Sequence, residues 1–105
     1  MADELKTPPH SAEAERGIIG SILLDTQFGE DARVLDLCLA RGLTPESFYE
    51  PRNRILYETF REMSGASAPI DAVTLTDRLR ATGRLDAVGG VAAIQALVDN
   101  TPTSA

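Results

Sequence analysis

The sequence predicts an all-α protein, a compact orthogonal bundle of five main helices plus one short helix. Three observations carry this prediction. Apolar residues recur at three- and four-residue spacing along most of the chain, the mark of helices with one buried face. No segment shows the strict apolar–polar alternation of a half-buried strand. Proline, glycine and small polar residues fall between the periodic stretches and leave only short loops. A chain of 105 residues is long enough for one domain with a real core and too short for two. We expect a flexible tail over 1–10, a helical domain over 11–100, and a linker beginning at 101–105.

Thr7-Pro8-Pro9-His10 cannot be helix interior, because each proline removes a donor and pushes its predecessor to extended geometry. The first helix starts after Ser11, a good N-cap, with Glu13 and Glu15 near its positive end. Ala14, Ile18, Ile19, Ile22 and Leu23 form its apolar face. Gly17 and Gly20 are poor helix residues, and their expected compensation is the close approach of a crossing helix. Asp25 and Gly29 are expected to close this segment.

A second helix is predicted over 30–40, with Val34, Leu35, Cys38 and Leu39 inward and Gly42 as its C-cap. Thr44-Pro45-Glu46-Ser47 marks the short helix, with Thr44 capping and Pro45 in the first turn. Phe48 is assigned to the core. Pro51 opens the third long helix, lined by Ile55, Leu56, Phe60 and Met63, and Ser64 to Pro69 is a loop. Asp71 caps a helix over 72–82, with Val73, Leu75 and Leu79 apolar and Gly83 stopping it. Leu85 packs back on the core, and Val88-Gly89-Gly90 turns into a last helix over 91–98. There Ile94, Leu97 and Val98 point inward, before Asn100-Thr101-Pro102 ends it.

The residue inventory excludes most chemistry. The only lysine, Lys6, follows Leu5, so this sequence holds no Gly-Lys-Ser/Thr phosphate loop. His10 is the only histidine and sits in the proline-rich tail, out of place for a catalytic triad. One histidine and one cysteine cannot make a structural zinc site. Cys38 fits a small buried hydrophobe better than a nucleophile, and it excludes an internal disulfide. Paired carboxylates fall on polar faces. The sequence therefore carries no catalytic, cofactor-binding or metal-binding constellation. It also has no signal peptide and no apolar run long enough for a membrane span, and a reduced, cytoplasmic setting is expected.

A net charge of -6 repels phosphate at long range, and aromatics at 5% leave few platforms for stacked bases. Arg52, Arg54 and Arg61 lie on one helix and Arg78, Arg80 and Arg84 on or just after the next. Glu58, Glu62 and Asp77 interrupt both sets, so pairing within the molecule and protein contact are favoured over DNA.

The order of certain segments says more. Pro8-Pro9-His10-Ser11-Ala12-Glu13-Ala14-Glu15, followed by Ile18-Ile19-Gly20-Ser21-Ile22-Leu23-Leu24-Asp25, resembles the opening of DnaB-type bacterial replicative DNA helicases. The resemblance continues at Phe48-Tyr49-Glu50-Pro51, Asp71-Ala72-Val73-Thr74-Leu75, Gly83-Arg84-Leu85, Val88-Gly89-Gly90 and Asp99-Asn100-Thr101-Pro102. It covers nearly all of residues 8–105. Two departures stand out. Asn53 occupies a position where the family pattern often has histidine, and the stretch from Gly29 to Thr44 is slightly long.

The resemblance implies the amino-terminal head of a hexameric, ATP-driven helicase, acting in DNA replication and primosome assembly at the nucleoid. The head would form part of a collar stacked on the motor ring, and a helical hairpin would follow it. Neighbouring helicase subunits, primase and helicase loaders are the implied partners. ATP and Mg belong to the implied motor, and no residue here matches those sites. Tyr49, Arg52, Tyr57 and Arg61 flank the Pro51 helix on faces its apolar stripe does not need. Tyrosine and arginine favour interfaces, so these four are the candidate contact residues. The competing assignment half-buries Tyr57 and pairs the arginines with Glu58 and Glu62. The alternative function is a stand-alone small helical DNA-binding regulator, which would bind with steep salt dependence.

Overall fold

The computed structural model describes residues 12–28 and 33–100. Within them the chain forms helix α1 (Ala12–Phe28), α2 (Arg33–Ala40), α3 (Pro51–Gly65), α4 (Ala72–Ala81) and α5 (Gly90–Asn100). Two single 3₁₀ turns, Pro45–Ser47 and Asp86–Val88, complete the described elements, and no strand occurs among them. This is the all-α bundle expected, with five main helices and a second short turn in place of a plain loop at Val88. The tail over 1–10, the cap at Ser11, Gly29 and the segment 101–105 lie outside the described residues.

The core is aliphatic with a small aromatic centre. Ile19, Ile22 and Leu23 enter from α1, Leu35 from α2, Leu75 and Leu79 from α4, and Ile94 and Leu97 from α5. Helix α3 is the hub and contributes Leu56, Tyr57, Phe60 and Met63. It packs against α1, α4 and both 3₁₀ turns, while α1 also meets α2 and α5. The Phe48 and Tyr57 rings lie 5.0 Å apart and tilted by 41°, within the range where aromatic pairs add to simple burial.

Local chemistry sets most element ends. Asp71 caps α4: its Oδ1 accepts from Thr74 N at 2.8 Å, and the Thr74 hydroxyl accepts from Asp71 N at 2.9 Å. At the other end Gly83 takes φ +73°. There Arg84 N donates to Leu79 O and Gly83 N to Arg80 O, the paired bonds that close a helix through a left-handed residue. Helix α2 ends the same way at Gly42.

Several expectations need correction. Helix α3 continues to Gly65 rather than stopping at Ser64, because Ser67 itself adopts φ 57° and Ala68 N reaches Met63 O. Asp25 does not close α1, which runs on to Phe28. Its Oδ2 instead accepts from Val34 N at 3.1 Å, serving the start of α2. Val73, one of the three apolar residues assigned to α4, is 69% exposed. Only Leu75 and Leu79 are buried on α4, since Val73 sits about 200° around the helix from Leu75. Leu39 is likewise exposed. Helix α5 starts at Gly90 and reaches Asn100, longer at both ends than expected.

Candidate protein-interaction site

The N-terminal end of α3 gathers the most unusual polar arrangement among the described residues. A helix start leaves backbone N–H groups without partners. Pro51 sits at the first helical position and has no N–H to lose. The side chain of Glu50, the N-cap residue, makes no capping bond. A distant residue serves instead. The Glu15 carboxylate of α1 accepts from Tyr49 N at 2.6 Å, Glu50 N at 3.1 Å and Asn53 Nδ2 at 3.0 Å. Asn53 is buried, so its amide needs such a partner. The carboxylate also meets the positive end of the α3 dipole.

The approach to α3 is tied down from its other side. Arg54 Nε donates to Phe48 O at 2.6 Å, and the Tyr57 hydroxyl donates to Leu43 O at 3.0 Å. Residues 43–50 are thus held at both ends. Tyr49, next to the last residue of this segment, keeps its side chain 55% exposed, and Arg52 is exposed one helical step on. Beside them lies a groove of about 300 Å³, between the starts of α1 and α3 and the middle of α5. Leu56, Ala93, Ile94 and Ala96 form its apolar lining, with Arg16, Glu50 and Arg52 as its charged members.

The four candidate contact residues do not make one patch. Tyr49 and Arg52 come together at the start of α3. Tyr57 is fully buried, because its ring packs on Phe48 and its hydroxyl on Leu43 O, so it offers no contact surface. Burial, the neighbouring Cys38 and, in opposition, Arg61 set its acidity, and the net effect pushes its pKa up. Arg61 is exposed but lies nine positions after Arg52, half a turn round the helix axis.

Gly17 and Gly20 also part company. A Cβ placed on Gly17 would meet nothing beyond its own helix within 4 Å, so no element crosses closely there. Gly20 is buried. Cys38 is half-buried, and burial raises its thiol pKa against the lowering influence of Arg41. It therefore stays a protonated thiol at neutral pH.

The second arginine set is engaged within the molecule. Arg84 Nη2 donates to Glu62 Oε1 at 3.1 Å and its Nη1 lies 4.0 Å from Glu58. Arg78 Nε is 3.7 Å from Glu62, and Arg80 pairs with Asp77 at 3.5 Å. Intramolecular pairing, expected from the interleaved charges, thus consumes the basic character of α4.

Sequence reasoning missed Glu15 and Asn53. Glu15 has the ordinary composition of a first-turn acid, and its partners lie 34 to 38 positions away. The one available signal was Asn53 itself, a polar residue in register with the apolar face of α3.

Comparisons with known proteins agree with this architecture. The family model "DnaB-like helicase N terminal domain" matches residues 7–105. The chain is 32% identical over 101 residues to the replicative DNA helicase DnaB of Haemophilus influenzae, covering 96% of this chain and 20% of that protein. It is 33% identical over 100 residues to the DnaB of Treponema pallidum, covering 95% of this chain and 21% of that protein. The chain thus spans about a fifth of the length of the curated relatives it matches. Its fold superposes with a TM-score of 0.78 on the crystal structure of the N-terminal domain of DnaB helicase from Mycobacterium tuberculosis, at 30% identity, covering 91% of this chain and 62% of that one. With sequence, fold and element order in agreement, the chain belongs to the DnaB-like helicase N-terminal domain family.

Proposed function

We propose that this chain is the protein-interaction and ring-organising head of a hexameric replicative DNA helicase, acting in replication and primosome assembly. The observation that carries this reading is the match of residues 7–105 to the N-terminal domain of DnaB helicases, together with the shared fold. The residue chemistry supports it. The 105 residues hold no phosphate loop, so ATP and Mg would serve a motor domain rather than this one. A rigid aliphatic core and a polar surface suit a scaffold that meets neighbouring helicase subunits, primase and loader proteins in the cytoplasm. Against the DNA-regulator alternative stand the net charge of -6 and the pairing of Arg78, Arg80 and Arg84, the second arginine set, with carboxylates.

A graft tests the proposal. Residues 7–105 replace the corresponding stretch of Haemophilus influenzae DnaB, and the chimaera is assayed for assembly and unwinding. A hexameric chimaera that unwinds duplex DNA is the expected result. A folded chimaera that stays monomeric would overturn the ring-organising role.

A further inference from the structure

We infer that the groove between the starts of α1 and α3 and the middle of α5 is a docking site for an acidic amphipathic segment of a partner protein. This rests on the reading of the domain as a protein-interaction head and names the surface and the chemistry of one partner. The first observation is the shape. The groove holds about 300 Å³, and its floor is Leu56 and Ile94, both buried, with the small side chains of Ala93 and Ala96 leaving room above them. That volume sits at the lower end of ligand sites and suits an apolar anchor side chain of the kind a helix lays into a groove.

The second observation is the charge. Arg16 and Arg52 both line the groove and both are exposed. Among the described residues neither guanidinium reaches a carboxylate within ion-pair distance, whereas Arg78, Arg80 and Arg84 all do. A chain of net charge -6 therefore presents two cations at this apolar concavity that pair with no carboxylate among the described residues. Among the described residues Glu50 is the only carboxylate in the lining, and the Glu15 carboxylate beside it is taken up by its three donors, so Arg16 and Arg52 are the cations the rim presents. Carboxylates flanking an apolar anchor complete it.

The alternatives fit less well. A two-fold dimer through this groove would bring the same arginines of both copies towards each other, with like charges opposed. Nucleic acid would match the arginines, but the described lining holds no aromatic ring on which a base could stack. The Glu15 clamp adds pre-organisation: by fixing Tyr49, Glu50 and Asn53 it sets the backbone from which Arg52 projects, and a preformed site loses less entropy on binding.

Fluorescence anisotropy on the 105-residue chain tests the inference with two labelled synthetic amphipathic helices. They share one leucine stripe, and glutamates flank it in one, lysines in the other. The glutamate helix should bind and the lysine helix should not. Arg16→Glu with Arg52→Glu should weaken the glutamate helix by more than about tenfold and admit the lysine helix. These positions are exposed, so the melting temperature should hold. Ala96→Leu, which fills the groove, should block binding whatever the charge. Equal binding of both helices, no binding up to about 1 mM, or unchanged binding in the charge-reversed variant would overturn the inference. So would amide signals of Ala93 and Ala96 that shift with protein concentration, on deletion of residues 1–10, or with a single-stranded oligonucleotide, which would assign the groove to a second copy, to the chain's own N-terminal segment or to phosphate. Because the graft reads assembly and this experiment reads peptide capture, either idea can fail alone.

Discussion

At the scale of single residues, the protein invests its polar contacts around α3. Glu15 is the least replaceable of them. Removing its carboxylate with Glu15→Ala strips three donors of their acceptor, and one of these, Asn53 Nδ2, belongs to a buried residue. Bonds to a charged group contribute ~1.5–3 kcal/mol, but the exposed Tyr49 N–H regains water. We expect a loss of ~2 kcal/mol and a fall in melting temperature of about 10 °C for a domain this size. Glu15→Gln keeps one accepting oxygen and should lose less. Thermal melts of both variants check this, and equal losses would show that charge, not hydrogen bonding, matters. Tyr57 gives a pH-dependent counterpart. Its raised pKa means that the folded state holds the phenolic proton more tightly than the unfolded state. Stability from this group is complete below the ordinary tyrosine value and falls as pH rises past about 10. Tyr57→Phe leaves Leu43 O without its donor and should cost ~1 kcal/mol near neutral pH. The variant should also lose part of the alkaline decline in melting temperature. A parallel decline in both proteins would show that other groups dominate it.

At the scale of elements, helix ends and buried faces were legible in the sequence wherever the cause was local. Asp71, Gly83 and Gly42 declare the ends of α4 and α2 because a cap needs only a few neighbouring residues. Ser67 hid the end of α3, since a serine in the left-handed region carries no advance mark. Asp25 was misplaced for a related reason: its chemistry suited a helix end, but its partner is the next helix. Leu75 and Leu79 mark the buried face of α4, while Val73 is apolar but out of phase with them and stays exposed. The clamp at α3 was invisible because Glu15 acts across the fold. Helix α1 offers a direct test of crossing geometry through its two glycines. Gly17 faces open space, so Gly17→Ala should raise stability by ~0.5–1 kcal/mol through helix propensity. Gly20 is buried, and Gly20→Leu should overpack its surroundings and cost ~1–3 kcal/mol. Denaturant titrations of the pair decide the matter: a Gly20→Leu protein as stable as its parent would show that the site can expand freely.

At the scale of the whole molecule, what matters is how much association this domain carries by itself. The described surface exposes few large apolar side chains, Leu37 at 57% and Val73 at 69% among them, and exposed residues of this kind are normal on a monomer. The small groove beside Arg16 and Arg52 suits one anchor side chain, far short of the ~800 Å² per partner that a stable interface buries. A hexamer needs each subunit to hold two neighbours, and the chain spans about a fifth of its curated relatives. If most of the ring contacts of such helicases lie outside the matched stretch, the 105-residue chain should remain a monomer or a weak dimer at micromolar concentration. Sedimentation velocity across a concentration series reads this directly. A stable hexamer would mean that the matched stretch is enough to close a ring, and that its faces hold far more binding energy than their exposed apolar area implies. Where a dimer forms, Tyr49→Ala and Arg52→Ala separate assembly from folding. Both side chains are exposed and neither contributes to the core, so the monomer should melt as before. If the α3 end is the contact, the dimer should weaken in both variants, because truncating tyrosine and arginine at an interface costs more than truncating most other residues. Unchanged association in both would move the contact to another face, leaving the groove lined by Arg16 and Arg52 to a different partner.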